Sequence, residues 1–401
     1  MRIFISSMIV MIACHDEPAT PIATAIAPTP VATIDAQVSV PANTRHKRVH
    51  DKADPAAPSA QEASFYYYTW KRTPPPAELA QLGSVMFRDT SLSHDKSLSC
   101  ASCHDPAHAF APTTEHEGLR QAPSLRYLQA VPQFTEHFVD PELDNGEDQG
   151  PAGGLTWDGR AKSLHDQALV PLMGPDEMAN TSQKDLVATL AKAPYAEQMK
   201  QMFGDDLFGN DNNVVKALLL SLEVYQQTPD EFYPYSSKYD HVIHGKAALT
   251  PQEARGRALF DDPKKGNCQR CHPDTGVAAP FTDFGFVALG VPARGKAIDL
   301  GLCGPRRTDL ASHSEYCGKF RTPSLRNVAT RKRFFHNGSV TSLRDAVKFY
   351  AARDLKKADL PAQYRGNLEP IDVKLTDAEI NDIVAFLGTL TDADQRSARL
   401  P

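Results

Sequence analysis

One five-residue pattern occurs twice in this chain of 401 residues, and it constrains the fold more than any other feature. The segments from Cys100 to His104 and from Cys268 to His272 both read C-x-x-C-H. In this pattern two thiols bond covalently to a porphyrin and the following histidine binds its iron, so each copy predicts one c-type haem. A single copy would equally fit a chance match or a metal site. The predicted attachment residues are Cys100, Cys103, His104, Cys268, Cys271 and His272.

The surroundings of the two patterns also repeat, which argues against chance. The repeated blocks are G-x-x-x-F-x-D upstream, Pro-Ser-Leu-Arg downstream, and then a small loop that leads to Ser-Leu and Asp. They begin at Gly83, Pro123 and Trp157 in the first copy and at Gly256, Pro323 and His336 in the second. A repeat of this kind predicts two domains of similar build with one haem each.

The first 60 residues predict export. Residues 1–14 hold an apolar run that is too short for a membrane span and resembles a signal peptide or a lipoprotein signal. Either the leader is cleaved or Cys14 carries a lipid anchor, and both alternatives place the protein in the periplasm. Residues 15–60, rich in Ala and Pro, predict a flexible tether. We expect the domains at 61–235 and 236–401.

Composition adds two expectations. The net charge of -6 gives no reason to expect nucleic acid as a partner. Cys303 and Cys317 lie in a Gly/Pro-rich stretch, and in an oxidising compartment they are expected to form a disulfide. Two free buried thiols are the alternative.

Periodicity predicts a mainly α fold. Apolar residues at helical spacing mark helices through Leu79–Met86 and Val214–Val224. Thr250 and Thr376 each precede a Glu by three residues and so predict N-caps of two further helices. Strand signals are sparse. We therefore expect two cytochrome c-like domains, each wrapping one covalently bound haem.

The two halves carry different residues at one position that the repeat makes equivalent. Pro171 follows Trp157 at the same spacing at which Tyr350 follows His336. A tyrosine phenolate can bind ferric iron, whereas proline has no donor atom in its side chain. The second haem is then closed by His272 and Tyr350, and the first keeps an open face for a small ligand. The alternative for Tyr350 is a packed core aromatic.

An open haem that cleaves peroxide needs a group that moves a proton between the two oxygens. Glu177 follows Pro171 closely, and a carboxyl in a partly apolar loop can have a raised pKa. Gln167 lies one helical turn before Pro171, where it could orient bound peroxide. The alternative is that Asp176 and Glu177 are ordinary surface charges.

From about Pro74 to Leu390 the chain resembles the bacterial di-haem cytochrome c peroxidase family. The resemblance rests on both C-x-x-C-H motifs, Trp157-Asp-Gly-Arg160, Gln167 with Pro171 and Glu177, Arg321-Thr-Pro-Ser-Leu-Arg-Asn327 and Phe335-His336-Asn-Gly338. It implies a peroxidatic N-terminal haem whose distal pocket holds Gln167, Pro171 and Glu177, with Glu177 as acid/base. It also implies that Trp157 relays electrons from the C-terminal haem.

The identity of residue 350 indicates which branch of that family the chain resembles. The ordinary peroxidases carry Met at this position, and the MauG-like branch carries Tyr, which lowers the haem potential. The resemblance thus implies a peroxidase supplied by a cytochrome c or cupredoxin. The alternative is a MauG-like enzyme that oxidises Trp or Tyr on an exported partner protein. A non-catalytic electron carrier is disfavoured by Pro171.

Two departures from the family pattern affect the first haem and a metal site. The loop after the first motif is short, and neither His108 nor His116 matches the family's capping histidine, so we expect an always-open first haem. Gln121 stands where the family has an Asn that helps bind an inter-haem Ca²⁺ ion. An amide oxygen is still present, so calcium stays an expectation. A homodimer is left open.

Overall fold

The computed structural model describes residues 70–113, 120–139, 146–276, 278–295 and 297–396. The predicted signal at 1–14, the tether at 15–60 and His116 lie outside the described residues. Among the residues that the structure does describe, no helix combines the length and the apolar character needed to cross a membrane.

Helices dominate the fold, as predicted. In the N-terminal half they are α1 Pro76–Phe87, α2 Cys100–Cys103, α3 Leu164–Met173, α4 Gln183–Leu190, α5 Ala196–Phe203, α6 Asp211–Tyr225 and α7 Pro229–Phe232. In the C-terminal half they are α8 Lys238–Ile243, α9 Pro251–Asp261, α10 Leu343–Ala351, α11 Asp377–Gly388 and α12 Ala393–Arg396. Two short strands, β1 Phe286–Val287 and β2 Phe320–Arg321, pair antiparallel with Phe286 opposite Arg321.

Short 3-10 helices fill many of the connections. They are Thr90–Leu92, Pro106–His108, Leu128–Ala130, Leu207–Gly209, Cys268–Arg270, Ser314–Tyr316, Val328–Thr330, Leu355–Lys357 and Ala362–Asn367.

The predicted helix starts are confirmed. Thr250 and Thr376 cap α9 and α11, and in each case a Glu at the third helical position completes a capping box. The repeated small loop ends in an N-cap of its own. Ser163 accepts a hydrogen bond from the Asp166 amide at the start of α3, and Ser342 accepts one from the Asp345 amide at the start of α10.

The glycine of the first repeated block lies at a close helix crossing in each half. A Cβ atom at Gly83 of α1 would overlap the Ser221 carbonyl of α6. A Cβ atom at Gly256 of α9 would overlap the Asp382 carbonyl of α11. Each half therefore pairs the helix that precedes its haem motif with a later helix at backbone-to-backbone distance, and only glycine fits at the crossing.

Replacing Gly83 with alanine is expected to destabilise the holoprotein by about 1–3 kcal/mol, because the added methyl group must separate two packed backbones. The check is thermal unfolding followed by circular dichroism. Gly388→Ala is the matched control, since nothing lies within 4 Å of a Cβ atom at that helical position. Equal unfolding temperatures for the two variants would contradict the crossing as a constraint.

Two large apolar cores accompany these crossings. One cluster gathers around α1 and α6 and includes Phe232, and the other gathers around α9 and α11 and includes Tyr239. Buried ion pairs join the halves: Arg126 donates to Asp392 at 3.0 Å, and Arg120 donates to Asp299 at 2.6 Å. The domain limits at 235 and 236 remain a prediction.

Candidate active site

The first haem motif lies on one wall of a cavity in the N-terminal half. The cavity measures about 1270 Å³, its open mouth included. Its lining contains all the residues that the sequence assigned to the first haem: Cys100, Cys103, His104, Trp157, Gln167, Pro171 and Glu177. The structure thus brings together residues from three separate sequence blocks, while their catalytic roles stay predictions.

The second motif lines a separate cavity in the C-terminal half. It measures about 1860 Å³, and Cys268, Cys271, His272 and Tyr350 all line it. None of the four motif cysteines forms a disulfide among the described residues, so all four are available to bond to a porphyrin.

Both motif histidines are held by the same hydrogen bond. With Nδ1 protonated, His104 donates to the Phe110 carbonyl at 3.1 Å and His272 donates to the Phe281 carbonyl at 2.9 Å. This bond selects the tautomer in which Nε2 carries the lone pair, the form that binds iron. Both rings therefore fit the role of an axial haem ligand.

The repeated Pro-Ser-Leu-Arg block supports these histidine loops. Ser124 donates to the Ala109 carbonyl at 2.7 Å, beside Phe110. In the second half Ser324 donates to the Pro280 carbonyl at 2.6 Å, beside Phe281. The sequence showed that this block repeats, but it did not show what the block does. In the structure its serine fixes the backbone segment whose carbonyl orients each histidine.

Pro171 and Tyr350 occupy equivalent places in the two halves. Each lies on the helix that its capping serine begins, and each follows that serine, Ser163 or Ser342, by the same number of residues. Pro171 faces the first cavity and Tyr350 the second. Burial raises the pKa of the Tyr350 phenol, so a phenolate there would need a nearby cation such as iron.

Glu177 lies at the mouth of the first cavity. A turn brings it there, in which its amide donates to the Gly174 carbonyl at 3.0 Å. Its carboxylate packs against Gly174, which has no side chain to exclude it. Asp176, in contrast, pairs with Arg306 at 2.9 Å. No described residue donates a hydrogen bond to the Glu177 carboxylate, so it faces the cavity unpaired.

A thin wall separates the two cavities. The residues that line both are Gln121, Ala122, Pro123, Trp157 and Arg321. The Trp157 indole donates a hydrogen bond to the backbone carbonyl of Gln121 at 2.6 Å. The backbone N–H of Gln121 donates to the His336 carbonyl at 2.7 Å. Trp157 is therefore held rigidly between the haem sites, where the resemblance expects a relay.

Trp157→Phe is expected to remove most of the electron transfer between the two haems, because phenylalanine is harder to oxidise and cannot donate to Gln121. The measurement is stopped-flow reoxidation of the pre-reduced second haem after peroxide is added. Trp70→Phe is the control, since that indole packs against Phe203, outside the lining of both cavities. Equal rates in the two variants would exclude the relay.

Sequence reasoning missed the ion pairs behind this wall. Arg120 donates to Asp158 at 2.6 Å and to both oxygens of Asp299, at 2.6 and 2.9 Å. Burial acts to raise the pKa of the Asp158 carboxyl, but the positive charges of Arg120 and Arg160 hold it below its usual value. Asp299 lies far from Arg120 in the chain, so no local pattern could have indicated the pair.

The predicted disulfide is confirmed. Cys303 and Cys317 are bonded, with their Cα atoms 5.1 Å apart. The bond closes a loop that contains Leu310 and Tyr316, which pack with Phe286 in a third, smaller apolar cluster.

Comparison with known proteins decides the family. Residues 77–248 match the family described as di-haem cytochrome c peroxidase, and residues 253–391 match the cytochrome c family. The methylamine utilization protein MauG of Paracoccus denitrificans is 32% identical over 84% of this chain and 92% of its own length. The chain belongs to the bacterial di-haem cytochrome c peroxidase family, in its MauG-like branch.

Further relatives agree. The cytochrome c551 peroxidase of Nitrosomonas europaea is 28% identical over 82% of this chain and 84% of its own length. The diheme peroxidase BthA of Burkholderia thailandensis has a similar structure, with a TM-score of 0.71 and 36% identity over 86% of this chain and 90% of that chain. This di-haem peroxidase is therefore an oxidoreductase that carries two covalently bound haem c groups.

Proposed function

We propose that this di-haem peroxidase reduces hydrogen peroxide at its N-terminal haem, with electrons that pass through its C-terminal haem. The observation that carries the proposal is the asymmetry at one helix position, where Pro171 faces the first cavity and Tyr350 the second. Proline offers no ligand atom, so a haem held by His104 would leave the first cavity accessible to peroxide. The second haem is closed and suited to electron transfer.

Two residues of the first cavity, Glu177 and Gln167, prepare peroxide for cleavage. The bound haem supplies the electron transfer that breaks the O–O bond. Glu177 takes the proton from the inner oxygen and returns it to the outer oxygen, so that water leaves rather than hydroxide. Gln167 donates a hydrogen bond that orients the peroxide. Among the described residues no side chain donates a hydrogen bond to the Glu177 carboxylate, which supports this role.

We infer that the first haem is open in the resting enzyme. His108, the described histidine of the loop after the first motif, pairs with Asp105 at 2.9 Å and does not line the first cavity. His116 lies outside the described residues. A capping histidine would have to leave the iron before peroxide could bind, and a short loop with a tethered His108 makes that arrangement unfavourable.

The test is stopped-flow absorbance after the fully oxidised enzyme is mixed with one equivalent of hydrogen peroxide. We expect a rapid reaction and a long-lived species in which the spectra of both haems change. A reaction that begins only after one haem has been reduced would show an ordinary peroxidase that needs activation, and the open-site proposal would be wrong.

A second function is favoured by Tyr350. Its phenol lines the second cavity, and an anionic phenolate ligand stabilises oxidised iron. Such a haem favours oxidation of Trp or Tyr on an exported partner protein over rapid electron entry from a small donor. Steady-state peroxide turnover with a cytochrome c or a cupredoxin as donor separates the two functions, because the second predicts little turnover with either.

The remaining expectations rest on sequence and family alone. We propose a periplasmic enzyme, with a lipid anchor at Cys14 as an alternative that mass spectrometry of the mature protein can decide. An inter-haem calcium ion also stays a proposal. Gln121 is buried in the wall, but the carboxylates of Asp158 and Asp299 both pair with Arg120. Metal analysis of the purified enzyme tests for calcium, and light scattering tests for a dimer.

A further inference from the structure

Among the described residues, one charged residue lines both cavities, and this is Arg321. Its side chain lies in the wall beside Trp157, and the residue is only 7% exposed. The backbone holds it there, because the Arg321 amide donates to the Trp157 carbonyl at 2.9 Å and β2 pairs with β1. A positive charge is thus placed between the two haem sites.

The guanidinium of Arg321 has little to balance it within the described protein. Nε donates to the Thr156 carbonyl at 3.1 Å, and no described residue accepts a hydrogen bond from the two terminal amino groups. Asp158 attracts it, but the Asp158 oxygens are already bound by Arg120 and Arg160. Burial lowers the pKa of Arg321 to about 10, so the group is still a cation at neutral pH.

A buried cation whose terminal amino groups have no acceptor and whose charge is not paired is unfavourable, so a complementary anion is expected at this place. The groups that enter both cavities are the haems, and each haem carries two propionate carboxylates. Guanidinium binds carboxylates through paired hydrogen bonds and remains charged when buried. The chemistry of the missing acceptor therefore matches a propionate.

We propose that Arg321 is a counter-ion shared by the propionates of both haems. A positive charge next to a haem favours the ferrous over the ferric state, because reduction removes one positive charge from the iron. Arg321 accordingly raises the reduction potential of both haems together. The inference depends on the two haem sites and not on the reaction proposed for them.

Arg331 provides a matched comparison. It lines the second cavity alone, and its charge acts on His272. It donates to the Ser324 carbonyl at 2.9 Å, and like Arg321 it pairs with no described carboxylate. Its charge is therefore expected to act on the second haem only.

The experiment is a spectroelectrochemical titration of both haems in the purified holoprotein and in the variants Arg321→Gln, Arg321→Lys and Arg331→Gln. For Arg321→Gln we expect the equilibrium constant for reduction of each haem to fall about tenfold, which is ~59 mV for a one-electron couple. Arg331→Gln is expected to shift the second haem alone. Arg321→Lys, which keeps the charge, is expected to leave both potentials near their original values.

Three results would overturn the proposal. The first is an Arg321→Gln variant in which one potential or neither changes. The second is an Arg331→Gln variant that shifts both haems equally, because the effect would then not belong to the shared wall. The third is an Arg321→Lys variant whose potentials fall as far as those of Arg321→Gln. If Arg321→Gln does not fold, Arg321→Lys still tests the proposal, because a tenfold fall in the equilibrium constants of both haems although the charge is kept would contradict it.

Discussion

Glu177→Gln is expected to slow peroxide consumption by about 100-fold or more, the usual scale for loss of a general acid/base group. Glutamine keeps the size and the polarity of the side chain but cannot accept and return a proton. Haem content and the resting spectra of both haems should be unchanged, because the Glu177 side chain lies at the cavity mouth and forms no hydrogen bond with the described residues. The measurement is the stopped-flow rate of peroxide loss per oxidised enzyme.

Asp176→Asn is the matched control for this prediction. It removes a neighbouring, mostly exposed carboxylate that pairs with Arg306 and has no part in the proposed proton transfer. An exposed ion pair contributes little to stability, so this variant should react at nearly the original rate. Near-normal turnover of Glu177→Gln would exclude Glu177 from the mechanism. Equal losses in both variants would indicate a general effect of charge at the cavity mouth.

Tyr350→Met is expected to raise the potential of the second haem by on the order of 100 mV, within the ~0.8 V range that axial ligands span. A neutral thioether stabilises ferric iron less than an anionic phenolate does. The absorbance spectrum of the second haem should change as well, and that of the first should not. The measurement is a redox titration that follows the two haems separately.

Phe349→Leu is the control for the tyrosine. Phe349 lies next to Tyr350 on α10 and packs against Phe335, but it does not line the second cavity. Its replacement should disturb the packing of α10 and leave the iron ligand in place. An unaltered second-haem spectrum in Tyr350→Met would show that the phenol is a packed aromatic and not a ligand.

Sequence reasoning went furthest where the signal lies within a few residues or is repeated in both halves. The capping boxes at Thr250 and Thr376 predicted the helix starts correctly, because an N-cap satisfies backbone amides within a few residues. The disulfide between Cys303 and Cys317 was also predictable, since thiols in an oxidising compartment have few other fates. The equivalence of Pro171 and Tyr350 followed from counting, and the two residues do lie at the same place on α3 and α10.

Residues whose role depends on distant partners could not be predicted in this way. Arg321 belonged to a recognised motif, but nothing local showed that it lines both cavities. Arg120 gave no sign that it would meet Asp299. Such groups are connected through long loops. The path of each loop depends on the packing of the whole protein.

The sequence by itself indicated the two haem c groups and the mainly helical fold, and it predicted the histidine ligands and the difference between the two halves. These properties are encoded in covalent chemistry and in short-range periodicity, both of which act within a few residues. Only the tertiary structure decided the wall between the cavities, because a wall needs segments from both halves at contact distance. It placed Trp157 and Arg321 in that wall, where an oxidisable ring and an unbalanced charge lie beside both haem sites.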